Sequence, residues 1–93
     1  MDRRTTARTS IHCRIVCEAG PQSFAAEGVD LGERGIAFNT TQELPLNAEV
    51  VLRYRLDDDG PTITARVRIC RLDSGRYFAE FLARKTEDPT SAR

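Results

Sequence analysis

The stretch EVVLRYRLDDDGPTITARVRIC, residues 49–70, decides the fold. Its first part alternates: Val50, Leu52, Tyr54 and Leu56 share one face, and Val51, Arg53 and Arg55 share the other. Its last part repeats the pattern, with Ile63, Ala65, Val67 and Ile69 set against Thr64, Arg66 and Arg68. A repeat of two is the strand repeat, so both parts read as half-buried β-strands. Between them, Asp57-Asp58-Asp59-Gly60-Pro61 is a turn. Its three carboxylates read as a solvated hairpin tip, because a calcium loop spreads its ligands over about a dozen positions.

The same alternation extends outward in both directions. SIHCRIVCE (10–18) sets Ile11, Cys13, Ile15 and Cys17 inward and His12, Arg14 and Glu18 outward, with Val16 as an apolar exception. AGPQ (19–22) is a turn. SFAAEGVDL (23–31) is a second strand, expected to place Val29 and Leu31 inward and Asp30 outward, and GIAFNT (35–40) is a third. TQELPLNA is a loop, since Pro45 excludes a central strand. After residue 70, DSG turns the chain into RYFAEFL (76–82), with Tyr77, Ala79 and Phe81 inward. The last residues are expected to form at most one helical turn before Pro89. Six short strands with regular turns predict an all-β, six-stranded antiparallel barrel, a closed form that leaves no sheet edge bare.

Composition narrows the function. A chain of 93 residues predicts one domain. At this size roughly two-thirds of the unfolded surface is buried, enough for one small core and no deep cleft. Apolar residues make up 40% and charged residues 30%, which suits a folded domain. The formal net charge is zero, so no global field draws the chain to DNA, RNA or a membrane surface. No apolar run approaches the ~18 residues of a membrane span, and the basic start MDRRTTARTS lacks the apolar segment of a secretory signal. Cys13 and Cys17 lie roughly 13 Å apart at strand rise, beyond disulfide reach. They read as free thiols in a reducing, cytoplasmic setting, and a zinc site would need more ligands at tighter spacing. The single histidine, His12, has no cysteine or carboxylate partner evident in the sequence. No nucleophile–base pair and no phosphate loop occurs, so neither an enzyme nor a cofactor is expected.

Two features remain. In RRTTAR, Arg3, Arg4 and Arg8 precede the first strand; a guanidinium fork grips phosphate bidentately and matches the guanine edge. In VDLGERGIAF, Asp30 faces outward, where a carboxylate accepts hydrogen bonds from the donors of a base. Gly32 and Gly35 leave backbone uncovered, which suits either a tight turn or a flat ligand. Each is weak alone. Together, RTTAR (4–8) followed by DLGERG (30–35), with VRICRLDSGRYFAEF (67–81) behind them, resembles the PilZ domain family over about residues 2–82.

The resemblance implies a barrel that binds the bacterial second messenger cyclic di-GMP on its outer surface and signals to an effector protein, as an adaptor and not a catalyst. It implies that Arg4 and Arg8 clamp the ligand from a flexible arm, that Asp30 reads guanine, that Gly32 stands where the family places a serine, and that Gly35 permits close approach. Arg3 is a further contact, to a second ligand molecule if two bind. The implied organisation is an arm at 1–8, a barrel at 9–82 and a polar tail at 83–93. Losing the serine hydroxyl removes one hydrogen bond, worth roughly 0.5–1.5 kcal/mol. This predicts weakened binding and leaves open a degenerate domain that binds no nucleotide and serves as a protein-interaction module. A single-stranded nucleic-acid reader would want stacking platforms and a positive groove, and this chain has six aromatic residues, no tryptophan and no net charge.

Overall fold

The computed structural model describes residues 8–87. Six strands follow in order: β1 (Thr9–Ala19), β2 (Gln22–Leu31), β3 (Gly35–Asn39), β4 (Glu49–Tyr54), β5 (Thr62–Asp73) and β6 (Arg76–Glu87). All pair antiparallel and close into a barrel in the order β1-β2-β3-β6-β5-β4. Chain neighbours make four of the six pairings; β3 with β6 and β1 with β4 complete the ring.

The turns obey their local chemistry. Ser74 and Gly75, at φ 54° and 80°, form the two-residue loop between Asp73 and Arg76. Two successive positive φ values define the hairpin turn whose twist matches its strands. Between β2 and β3, Glu33 and Arg34 form the tip of the loop, and the Gly32 N–H donates to the Gly35 carbonyl at 2.9 Å.

The inward faces supply the core expected from the alternation. Ile15, Cys17, Ile36, Phe38, Leu52, Val67 and Ile69 are fully enclosed. Phe38 stacks on Tyr77 with ring centroids 5.7 Å apart. Leu44, from the loop before β4, joins this core, and its N–H donates to the Tyr77 hydroxyl at 2.9 Å. Burying these aliphatic and aromatic side chains stabilises the barrel by roughly 1.5–3 kcal/mol each.

Three expectations need correction. β4 ends at Tyr54, so Leu56 falls in the turn and is exposed. Residues 83–87 form no helical turn: β6 continues to Glu87, which pairs with Thr62, because β5 begins early enough to hold it. Val29 does not point into the core, for a reason that bears on the candidate site.

Outside, cross-strand ion pairs cover the barrel. Arg53 meets Glu18, Arg66 meets Glu49 and Arg68 meets Glu80. They explain why these outward arginines of β4 and β5 add no net charge to that face.

Candidate ligand-binding surface at the start of β1 and the end of β2

Along β2, Ala26 and Gly28 face inward; a Cβ on Gly28 would touch Cys13, Ile11 and Ile15. Strict alternation from there would turn Asp30 into the barrel. A bulge prevents it. Gly28 pairs with Phe38 but Asp30 pairs with Ala37, so β2 carries one extra residue, Val29, opposite β3. The extra residue reverses the parity of the positions after it. Asp30 emerges outward, as expected, and Leu31 packs against the core, while Val29 sits half-buried at the bulge itself.

Asp30 emerges beside the start of β1. Thr9 aligns with Leu31 and Ser10 with Asp30, which brings the preceding residue, Arg8, over the carboxylate. Arg8 Nε donates to Asp30 Oδ2 at 3.1 Å across 22 positions of sequence. The pair is open to solvent, with side chains 45% and 27% exposed. An exposed pair of this kind contributes at most about 1 kcal/mol, so both groups can exchange partners when an anionic or hydrogen-bonding ligand arrives.

Next to this pair lies a shallow depression of about 170 Å³, bordered by Arg8, Arg34, Gly35, Phe78 and Glu80. It is smaller than ordinary ligand pockets of roughly 300–1,000 Å³. A ligand here would lie on the barrel rather than inside it. One wall is the Phe78 ring, capped by the Arg71 guanidinium at 4.2 Å.

Gly35 has a reason independent of any ligand. A Cβ there would come within 2.2 Å of the Ala79 carbonyl oxygen on β6. The glycine is what allows β3 and β6 to approach. Gly32 is buried in the hairpin, and its backbone is not strained: among the described glycines, positive φ occurs at Gly20 and Gly75. Arg3 and Arg4 lie outside the described residues.

The structure brings Arg8, Asp30, Gly32 and Gly35 to one place. It adds Arg34, Phe78, Arg71 and Glu80, which the sequence pattern does not single out. Outward alternation along β6 marks Phe78 and Glu80 as surface residues, but nothing local tells which strand would lie beside the arm. His12 also departs from expectation: its Nδ1 is 2.9 Å from Glu27 Oε2, a partner supplied across the β1–β2 ladder. That pair is well exposed and sits apart from the depression. Cys13, Cys17 and Cys70 are free. Burial first, then the neighbouring Glu18 charge, pushes the Cys17 thiol up to about 11. Burial also raises Cys13, opposed by a backbone hydrogen bond with Gly28. Among the described residues, no three His, Cys, Asp or Glu side chains gather to hold a metal, and no helix is long and apolar enough to cross a membrane.

The fold is a six-stranded antiparallel barrel with an arginine ahead of its first strand, ion-paired to a carboxylate next to a bulge. The chain belongs to the PilZ domain family, whose model matches residues 2–89. It is similar in structure to the Bacillus subtilis inhibitor of motility, MotI/DgrA, with a TM-score of 0.72 and 16% sequence identity. The match covers 89% of this chain and 44% of that one, so this chain spans under half of the other's length. At that identity the likeness concerns the fold. No curated protein matches the sequence. PilZ domains are binding and adaptor domains.

Proposed function

We propose that the chain binds cyclic di-GMP on the outer surface of the barrel and acts as an adaptor that presents the ligand-ordered arm to an effector protein. The observation that carries this reading is the Arg8–Asp30 pair. It joins the two halves of the family's ligand signature, RTTAR and DLGERG, at one point of the surface. Arg4, and Arg3 for a second ligand molecule, would grip phosphates and guanine from the arm, since arginine forks suit both. Asp30 would release Arg8 to the ligand's phosphate and accept the guanine N–H groups. No covalent chemistry is required of any residue.

Isothermal titration with cyclic di-GMP tests the reading and gives the stoichiometry. Arg8→Ala is expected to weaken binding by tenfold or more, because a hydrogen bond to a charged group is worth about 1.5–3 kcal/mol. Arg93→Ala changes the charge equally and should leave affinity within about twofold. Equal losses would reduce the effect to bulk electrostatics. A silent titration of the unaltered protein would instead support an interaction module that binds no nucleotide, the reading that Gly32 in place of serine favours.

A further inference from the structure

On the outer surface of the barrel, seven of the ten described arginines have a partner. Arg53, Arg66 and Arg68 are held by carboxylates, and Arg8 by Asp30. Arg55 donates to Thr62 and to the Asp58 carbonyl. Arg71 and Arg84 stack on Phe78 and Phe81. Among the described residues, this leaves the side chains of Arg14, Arg34 and Arg76 with no ion pair, side-chain hydrogen bond or aromatic stack. Of these three, Arg34 alone borders the depression beside Arg8.

Its position is fixed by backbone rather than by a side-chain partner. The Arg34 carbonyl accepts the Phe81 N–H at 2.8 Å, and the Gly32–Gly35 bond closes the hairpin around it. The loop is short, so the guanidinium's root has little freedom to move away. Glu80, which borders the same depression, is already engaged by Arg68. A firmly mounted cation, with no partner among the described residues and facing a shallow surface shared with Arg8, is suited to a phosphate.

The geometry points to Arg34 as an additional ligand-binding residue: a cationic contact, beside Arg8 on the rim of the depression, for the phosphodiester of a cyclic dinucleotide lying across it. This rests on the cyclic di-GMP reading of the same site, and assigns a role to one of the two residues between Gly32 and Gly35. Phe78, on which Arg71 stacks, borders the depression on the β6 side.

Titration of cyclic di-GMP into the unaltered protein and into Arg34→Ala, Arg34→Lys and Arg14→Ala variants tests it. Arg14 is a matched control, equally unpartnered among the described residues and absent from the depression. Arg34→Ala is expected to weaken binding about tenfold or more, Arg34→Lys to recover part of that loss, and Arg14→Ala to stay within about twofold. Melting temperatures should be alike for all four, since both side chains are exposed. If the unaltered protein binds and Arg34→Ala behaves like Arg14→Ala, the role of Arg34 is overturned and the function stands. If the unaltered protein shows no binding, both fall together.

Discussion

At the scale of single residues, the two glycines of DLGERG separate into different jobs. Gly35 is set by packing: a methyl group would meet the Ala79 carbonyl oxygen at 2.2 Å, and that oxygen is backbone, which cannot swing aside. Gly35→Ala should therefore destabilise the free protein by roughly 1–3 kcal/mol, as overpacking does, and lower its melting temperature by about 4–8 °C per kcal/mol. A melt without ligand that matches the unaltered protein would contradict this. Gly32 is free of left-handed strain, so Gly32→Ser is expected to keep its melting temperature and to tighten cyclic di-GMP binding several-fold, within the ~0.5–1.5 kcal/mol of one hydrogen bond. A lower melting temperature with no gain in affinity would show that the turn itself requires glycine. Cys17 supplies a third residue-scale expectation. Its thiol is raised from 9.0 to about 11 in the folded chain, mainly by burial. The unfolded chain ionises first as pH rises, so stability is constant below about pH 9 and declines between about 9 and 11, by roughly 2–3 kcal/mol in all. Cys17→Val should flatten that part of the stability-against-pH curve measured by urea unfolding. An unchanged slope would assign the alkaline loss to other groups.

At the scale of elements, the hairpins are legible in the sequence and the bulges are not. Asp73-Ser74-Gly75 and Gly20-Pro21 announce turns through backbone chemistry that belongs to the residues themselves. A bulge reflects how one strand fits its neighbours on both sides, which one strand's pattern does not contain. The sequence places Asp30 outward by setting Val29 and Leu31 inward. The outcome holds for Asp30, but the structure reaches it by inserting Val29 as an extra residue. The bulge is thus what exposes the candidate ligand carboxylate. Deleting Val29 should restore strict alternation and turn the carboxylate of Asp30 toward the core, where leaving it unpaired costs several kcal/mol. The expected result is a poorly folded chain by circular dichroism and amide dispersion in NMR. A well-folded deletion variant that still shows the Arg8–Asp30 contact would mean that the strand can re-register elsewhere. The end of β6 departs from its sequence pattern for a related reason. ARKTE (83–87) has no apolar stripe, but β5 offers it a ladder as far as Thr62, and backbone pairing prevails over composition.

At the scale of the whole molecule, ring closure turns six legible strands into one surface. Placing β3 against β6 brings Phe78 and Glu80 to the edge of DLGERG, and placing β1 against β2 brings Arg8 to Asp30. The charge pattern across that ring predicts two different responses to salt. The ion pairs of the barrel are exposed and the formal net charge is zero, so electrostatics adds little to stability. Raising salt from about 0.1 M to 1 M shortens the screening length from about 10 Å to about 3 Å. The melting temperature of the free protein should then move by no more than a few degrees. Under the proposed function, cyclic di-GMP binding should respond differently, because that reading sets a doubly anionic ligand against Arg8, Arg34 and the arm on an open surface where water and ions enter freely. Affinity is expected to fall several-fold over the same range in titration calorimetry, with a smaller fall in Arg34→Ala, which has one cation fewer to screen. A steep loss of stability with salt would show that the ion pairs hold the barrel together. A binding constant indifferent to salt would place the ligand's phosphates away from these arginines, and would move the candidate site elsewhere on the ring.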